Sequence, residues 1–196
     1  MAKLLENFHL ALVTGIVLML VLLFGLHGDA MGGDGMAAWS QAFLRYLHVF
    51  FGILWIGLLY YFNFVQIPTM PKVPAELKPG VTKYIAPAAL FWFRWSALAT
   101  VVIGLALAAH LGYLGDALAL QEPFRLIGIG MWLGLIMAAN VWFVIWPNQK
   151  RALGIVEADD ATKAKSGRVA MLASRTNLVL SLPMLYAMAT YQSLPA

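Results

Sequence analysis

Four histidines are the residues of this chain best suited to chemistry, because an imidazole can bind haem iron or a metal ion and can transfer a proton. His27, His48 and His110 lie at the end of the first long apolar run, the start of the second and the end of the third, respectively. If successive runs cross a bilayer in opposite directions, these three lie on one side and His9 lies on the other. The placement predicts a redox site near that side.

The second apolar run carries the most informative face. His48, Gly52 and Trp55 follow helical spacing, so an imidazole and an indole could hold a flat ring across the glycine. We predict His48, His110 and Trp55 as cofactor-binding residues, with haem b as the cofactor or His48 as the ligand of a metal. Four methionines at comparable depth could contribute thioether sulfur: Met31, Met36, Met131 and Met188. The alternative interpretation of this face is a polar seam that holds helices together.

Several kinds of chemistry are excluded by composition and pattern. The chain has no Cys, which excludes disulfides, thiolate metal sites, iron–sulfur clusters and c-type haem attachment. The sequence contains no Ser/His/Asp triad, phosphate-binding glycine loop, paired-carboxylate site or dinucleotide fingerprint. No Asp or Glu lies inside an apolar run, which argues against a proton- or cation-coupled transporter.

The elements that must position these residues are five apolar runs, each close to the length that crosses a bilayer. They cover about residues 8–26, 46–66, 94–113, 126–146 and 177–192. Hydrophobic residues make up 62% of the chain and charged residues 11%. We therefore predict an all-α integral membrane protein, a bundle of five transmembrane helices that forms a single domain over residues 1–196.

The basic residues predict the orientation of the bundle. Ten of the 13 Lys and Arg residues fall before the first run, between the second and third, or between the fourth and fifth. Only Arg45 and Arg125 fall on the opposite side, and Arg94 lies at the start of the third run. By the positive-inside rule the N-terminus is cytoplasmic and the C-terminus is periplasmic, as in a multi-pass protein of a bacterial-type inner membrane. The net charge of +4 is then a feature of topology, and we expect no nucleic-acid partner.

The connections on the cytoplasmic side differ in character. Four prolines between the second and third runs (Pro68, Pro71, Pro74 and Pro79) predict an extended segment. Residues 148–175 are predicted to form a charged cytoplasmic loop that is partly helical. The aromatic cluster around Arg94 is predicted to open the third helix and to anchor it at the interface.

Small and amide residues predict how the helices pack. Gly130, Gly134 and Ala138 recur every fourth residue, as do Gly104 and Ala108, and such stripes allow close helix approach. Buried amides and hydroxyls should find partners across the bundle; the candidates are Asn140, Asn177 and Ser181. Pro183 is predicted to kink the fifth helix.

Three segments carry a family resemblance. They are 45–62 with His48, Trp55 and Gly57; 92–96 with Gly104; and 137–150 followed by 174–188. Together they resemble the membrane domain of the PuuD-type urate hydroxylases, polytopic proteins that usually end in a c-type cytochrome. The residues that match the pattern include Arg94, Asn140, Pro147, Asn148, Gln149, Lys150, Asn177 and Pro183. The family's His-Asn-Asn-Tyr stretch stands here as Arg175-Thr176-Asn177-Leu178.

The resemblance implies a membrane redox-linked protein, such as a component of a membrane oxidoreductase. Because the chain has no Cys for its own cytochrome domain, its electrons would pass to a separate carrier such as a periplasmic cytochrome c. The His48 helix is also similar to that of small haem-associated families such as the HemJ-type protoporphyrinogen oxidases. The alternative is a non-catalytic accessory subunit of a larger complex. Beyond the lipid bilayer, the expected partners are other membrane subunits or further copies of the chain.

Overall fold

The computed structural model describes residues 2–32 and 35–193. It is 86% helical, and no strand occurs in these two ranges, so the all-α prediction is confirmed. The five long helices are α1 (Phe8–His27), α2 (Gly35–Tyr60), α3 (Ala86–His110), α4 (Arg125–Asn140) and α5 (Asp160–Thr190). Shorter helices are Ala2–Glu6, Ile67–Thr69, Lys78–Gly80, Leu114–Leu118 and Trp146–Ala152.

Helical segments that adjoin α2, α3 and α4 lengthen these helices. The resulting stretches Gly35–Lys72, Lys78–His110 and Arg125–Ala152 join Phe8–His27 and Asp160–Thr190 as helices long and apolar enough to cross a membrane. Their number agrees with the predicted five within the described residues. Each is at least as long as the roughly 20 residues that a hydrocarbon core of about 30 Å requires.

The chain divides into two compact units, residues 1–43 and 44–196. In the first unit, α1 begins at the N-cap Asn7, whose side chain accepts hydrogen bonds from the backbone N–H groups of His9 and Leu10. None of the α1 residues is buried.

In the second unit, helices α2, α3, α4 and α5 enclose one hydrophobic core. Trp55 and Leu59 from α2 meet Phe93 from α3, Met137 from α4 and Met184 from α5. Gly130 of α4 lies against α5, where a Cβ atom would stand 3.0 Å from the Ala187 Cβ. The absence of a side chain at Gly130 therefore lets these two helices approach closely.

Proline explains an irregularity that recurs along the helices. The π-helical segments Tyr61–Gln66, Val81–Ile85 and Val141–Ile145 each end two residues before a proline: Pro68, Pro87 and Pro147. Proline has no N–H group, and its ring would collide with the carbonyl four residues back. A wider i→i+5 turn just before the proline relieves that collision, so the helix continues instead of breaking.

Two sequence expectations, about the connection between the second and third apolar runs and about the start of the third helix, are wrong. The segment with four prolines is largely helical, from Ile67 through Lys72 and again from Lys78, because each short helix accepts a proline in its first turn. The third helix opens at Ala86 rather than at the aromatic cluster, which places Arg94 inside α3.

Most of the predicted loop 148–175 is also helical. The helix after Pro147 runs to Ala152, and α5 begins at Asp160 rather than near residue 177. The N-cap Asp159 accepts hydrogen bonds from the Thr162 N–H at 2.7 Å and from its hydroxyl at 2.9 Å. These bonds hold the pKa of Asp159 below its ordinary value. Alanine, lysine and arginine then continue the helix beyond the apolar run, because they are good helix formers in water.

Candidate functional site

A cavity of about 560 Å³ lies among α2, α3, α4 and α5 in the second unit. This volume falls in the range of about 300–1,000 Å³ that is usual for ligand pockets. The wall is mainly aliphatic and thioether, with Val101, Leu107, Ile127 and Met184 among its residues. A small polar set also lines it: Arg45, His48, Trp55, Tyr60, Thr100, Tyr113, Tyr191 and Gln192.

His48 is held in the wall by a hydrogen bond between helices. Its Nδ1 atom lies 2.9 Å from the backbone oxygen of Thr100 on α3. A carbonyl oxygen can only accept a hydrogen bond, so Nδ1 carries the proton. The other nitrogen, Nε2, then has its lone pair available for a hydrogen bond or for iron. Protein ligands of metals are commonly oriented in this way by a backbone carbonyl.

Gly104 makes room for that imidazole. A Cβ atom at this position would stand 2.6 Å from His48 Cε1 and 2.8 Å from His48 Nδ1, closer than van der Waals contact permits. The sequence predicted Gly104 as a helix-packing residue. In the structure the space that it leaves is filled by the ring of His48.

Gly134 also differs from the role expected for a packing stripe. It is buried and lines the cavity, yet no atom lies within 4 Å of the place where its Cβ would be. The two alanines of the predicted stripes are buried: Ala108 lines the cavity, whereas Ala138 belongs to the hydrophobic core. On α4, Gly130 therefore allows close contact with α5, whereas Gly134 leaves part of the cavity open.

Trp55 lies in both the core and the cavity wall and is 1% exposed. Its indole Nε1 has no hydrogen-bond partner among the described residues. A buried N–H group without a partner is costly, and an acceptor atom on a ligand would satisfy it. Of the three predicted cofactor-binding residues, the structure therefore brings Trp55 and His48 to one cavity.

One end of the cavity is polar and was not foreseen from the sequence. The rings of Tyr113 and Tyr191 lie 6.1 Å apart, and Phe124 stacks on Tyr113 at 5.0 Å. Burial, helped by the charge of Tyr191 and by a hydrogen bond with it, raises the pKa of Tyr113, and the positive charge of Arg45 partly opposes that rise. A cation, two phenols and an amide thus meet at the end of an otherwise apolar space.

His110 takes no part in this arrangement. It is exposed at the end of α3 and does not belong to the cavity wall. Met131 and Met188 line the cavity, whereas Met31 and Met36 belong to the first unit. Across the residues that the structure describes, no three His, Cys, Asp or Glu side chains form a group that could hold a metal ion.

The asparagines of the motif form a polar seam next to the core. Asn140 Nδ2 donates to Asn177 Oδ1 at 2.7 Å and to the Ala173 oxygen at 2.9 Å. Asn177, which is 0% exposed, donates to the Met137 oxygen at 3.0 Å. These bonds tie α4 to α5, as the amide residues predicted.

The seam continues onto the α2 side. Asn63 Nδ2 donates to Ser174 Oγ at 2.9 Å, and the Tyr60 hydroxyl lies 3.2 Å from Ser181 Oγ. Ser181 already donates to the Leu178 oxygen at 2.7 Å, so Tyr60 is the donor to Ser181. Proline at position 183 is exposed within α5, and the helix continues through it.

The remaining motif residues lie around the start of the helix Trp146–Ala152. The Arg94 guanidinium carbon lies 3.9 Å from the centre of the Trp146 ring, and Lys150 Nζ lies 5.7 Å from it. Asn148 Nδ2 donates to the Val144 oxygen at 2.8 Å. Pro147 occupies the first turn of this helix, and Gln149 is half-buried beside it.

A family model described as urate oxidase N-terminal matches residues 122–192. No curated protein and no solved structure matches the chain. The matched region contains α4, α5 and the asparagine seam, together with Tyr191 and Gln192 of the cavity wall. Over these residues the chain is similar to the N-terminal region of urate oxidases.

Proposed function

We propose that this chain is a multi-pass protein of a bacterial-type inner membrane, with its N-terminus in the cytoplasm and its C-terminus in the periplasm. Five sufficiently long apolar helices support the membrane location. The concentration of Lys and Arg in the alternate connections supports the direction. In this orientation His48 and the cavity lie toward the periplasmic side.

Within that membrane we propose a redox-linked relative of the PuuD-type urate hydroxylases, with haem b held in the cavity by His48. The observation that carries the proposal is the hydrogen bond from His48 Nδ1 to the Thr100 oxygen at the wall of a large apolar cavity. That bond fixes the ring and leaves Nε2 as the nitrogen that would face iron.

The residues present fit a porphyrin better than a bare metal ion. A bare ion needs several protein ligands, and the described residues offer no group of three. A porphyrin brings four nitrogens of its own, so a single imidazole suffices, with the sulfur of Met131 or Met188 as a second donor. Gly52 and the open space at Gly134 suit a flat ring, and Arg45 offers a cation for its carboxylates.

When bound, haem b would supply one-electron transfer. The apolar wall would exclude water from the ring, and His48 and Trp55 would orient it. Tyr113, Tyr191 and Arg45 would line the way toward the periplasmic side. We propose a periplasmic cytochrome c as the next electron carrier.

The test is a reduced-minus-oxidised visible spectrum of the purified chain, with His48→Ala and His110→Ala as a matched pair. We expect about one haem b per chain in the wild type and in His110→Ala, since His110 lies outside the cavity wall. We expect little or none in His48→Ala. A folded but colourless wild-type protein would overturn the proposal.

A second candidate is a non-catalytic accessory subunit that packs against a larger membrane oxidoreductase or against copies of itself. The observation that favours it is α1, which is apolar and has no buried residue. In that case the chain would be colourless, would co-purify with membrane partners, and would tolerate His48→Ala without loss of assembly.

A further inference from the structure

We propose that Arg94, Trp146 and Lys150 form a binding site for the phosphate group of an anionic phospholipid. The Trp146 ring lies near two cationic groups, Arg94 of α3 and Lys150 of the helix Trp146–Ala152. Arg94 Cζ is 3.9 Å from the ring centre, and Lys150 Nζ is 5.7 Å from it. This site is separate from the cavity; it rests on the membrane location proposed above but not on haem binding.

The two charges lack an acidic partner. Within residues 2–32 and 35–193, the ion pairs are Arg125 with Glu122 and Lys163 with Asp160. Two like charges held near one ring repel each other, and the repulsion grows where the surroundings are apolar. A bound anion would replace that repulsion with two attractions.

Arg94 is already oriented for such an anion. Its guanidinium stacks on Trp146, lies 5.4 Å from the centre of the Phe91 ring, and donates one N–H to the Leu90 oxygen at 3.3 Å. A guanidinium has five N–H groups, so several remain for phosphate oxygens. Arginine is well suited to this contact because its planar donors match two oxygens of one phosphate.

The surrounding surface favours a lipid over a free anion. Exposed aromatic side chains adjoin Arg94: Phe91, which the guanidinium contacts, is 46% exposed, and Trp92 and Trp95, which pack on Phe91, are 53% and 47% exposed. Trp95 packs edge-on against Trp142, which links α3 to the α4 side of this surface. Aromatic rings next to basic residues are typical of the headgroup level of a membrane. Acyl chains would lie on these rings while the phosphate reaches the two cations.

The charge of the site selects among lipids. A zwitterionic headgroup would bring its own cation close to Arg94 and Lys150, whereas phosphatidylglycerol brings only negative charge. Basic pockets between membrane helices on the cytoplasmic side bind anionic headgroups in this way. We therefore expect phosphatidylglycerol to be preferred over phosphatidylcholine.

The experiment measures lipid binding to the full chain in detergent by native mass spectrometry, with phosphatidylglycerol, phosphatidylcholine and inorganic phosphate as probes. We expect Arg94→Gln and Lys150→Gln each to weaken phosphatidylglycerol binding by about tenfold, the usual effect of a lost charge-assisted hydrogen bond. Arg175→Gln is the matched control, because Arg175 is exposed on α5 and should leave binding unchanged. Arg94→Lys, which keeps the charge, should bind with intermediate strength.

Three results would overturn the proposal. The first is equal binding of phosphatidylglycerol and phosphatidylcholine. The second is competition by inorganic phosphate at the concentration where the lipid binds, which would identify a free-anion site. The third is wild-type binding in both glutamine variants. Unfolding temperatures measured without added lipid show whether each variant is folded. If Arg94→Gln does not fold, Arg94→Lys still tests the site.

Discussion

The cavity and the asparagine seam use the same helices of the second unit in opposite ways. At the cavity, glycines remove side chains, and the space holds His48, Trp55 and two tyrosines around its wall. At the seam, Asn140 bonds to Asn177 between α4 and α5, and Ser174 and Ser181 bond to Asn63 and Tyr60 on the α2 side. The comparison teaches that a small or polar residue in an apolar helix has no fixed meaning. Its role depends on what the facing helix presents at that depth.

The energetics of the two regions should differ accordingly. Hydrogen bonds between membrane helices contribute roughly 0.6–2 kcal/mol each, so the seam supports the fold. The cavity gives up packing contacts, because a void leaves its lining atoms without neighbours. We therefore expect changes at the cavity to alter ligand binding and changes at the seam to alter stability.

The largest effect is expected for Gly104→Ala. The new Cβ would lie 2.6 Å from His48 Cε1, so the imidazole must leave the Thr100 oxygen. We expect cofactor affinity to fall by about 10- to 100-fold, the equivalent of an oriented hydrogen bond worth roughly 1–3 kcal/mol. The measurement is the haem content of the purified protein after dilution.

Gly134→Ala is the matched control for Gly104→Ala. No atom lies within 4 Å of the new methyl group, so the cofactor should be retained. Equal losses in the two variants would show that alanine disturbs the cavity as a whole and that His48 has no special dependence on Gly104.

The next effect separates the two roles of glycine on α4. From the sequence, Gly134→Leu is expected to push helices apart by steric overlap. The structure gives a different expectation, because the leucine side chain would enter the cavity beside Met131 and Leu135. We expect binding of the proposed haem to weaken, by less than in Gly104→Ala because His48 keeps its place, while the protein keeps its wild-type assembly on a native gel.

Gly130→Leu provides the contrast to Gly134→Leu. A Cβ atom at Gly130 would already lie 3.0 Å from the Ala187 Cβ, so a larger side chain must separate α4 from α5. This variant should lower the unfolding temperature and change migration on the gel. If both leucine variants altered assembly alike, the distinction between the two glycines would fail.

A moderate effect on stability is expected for Asn177→Ala at the seam. Removing this amide leaves the Met137 oxygen without its side-chain donor and Asn140 without one acceptor. The free energy of unfolding should fall by about 1–3 kcal/mol, measured by titration with a denaturing detergent. Thr176→Ala is the control, since Thr176 is exposed and bonds only to Leu172 in its own helix. Loss of haem from folded Asn177→Ala would show that the regions are coupled.

Much of the helical framework could be predicted from the sequence, for a physical reason. A bilayer requires about 20 consecutive apolar residues per helix, and that pattern is visible without a structure. The helix ends could not be predicted in the same way. Around Asp160 the sequence is no longer apolar, but it still contains good helix formers, so α5 begins earlier than the apolar run. Before Pro68 and Pro147, π-helical turns let the helix continue through a residue that usually breaks it.

The site could be predicted only where one helix carried it. His48 and Trp55 lie seven residues apart on α2, so helical spacing placed them on one face. Thr100, Tyr113 and Tyr191 come from other parts of the chain, and their approach depends on the rotation of each helix about its axis. Hydropathy carries little information about that rotation. A useful signal was nonetheless present, because Arg45 precedes His48 by one turn and Tyr113 and Tyr191 lie at the ends of predicted helices.

The smallest effect is expected outside both regions, at the N-cap of α5. Asp159 is exposed, and the Thr162 N–H holds its carboxylate in the charged form, so its pKa in the folded protein lies below the ordinary value near 3.8. Such a group stabilises the fold fully above its unfolded pKa, and the contribution is lost as the pH falls through the lower folded value.

Asp159→Ala should therefore lower the unfolding temperature slightly at pH 7, with less difference from wild type near pH 3. Asp159→Asn keeps an oxygen for the Thr162 N–H but carries no charge, so its stability should vary less with pH than that of the wild type. If Asp159→Ala lowered the unfolding temperature as much as Asn177→Ala does, the start of α5 would contribute as much to stability as the seam. Stability would then not be concentrated in the seam, and the contrast between seam and cavity would be incomplete.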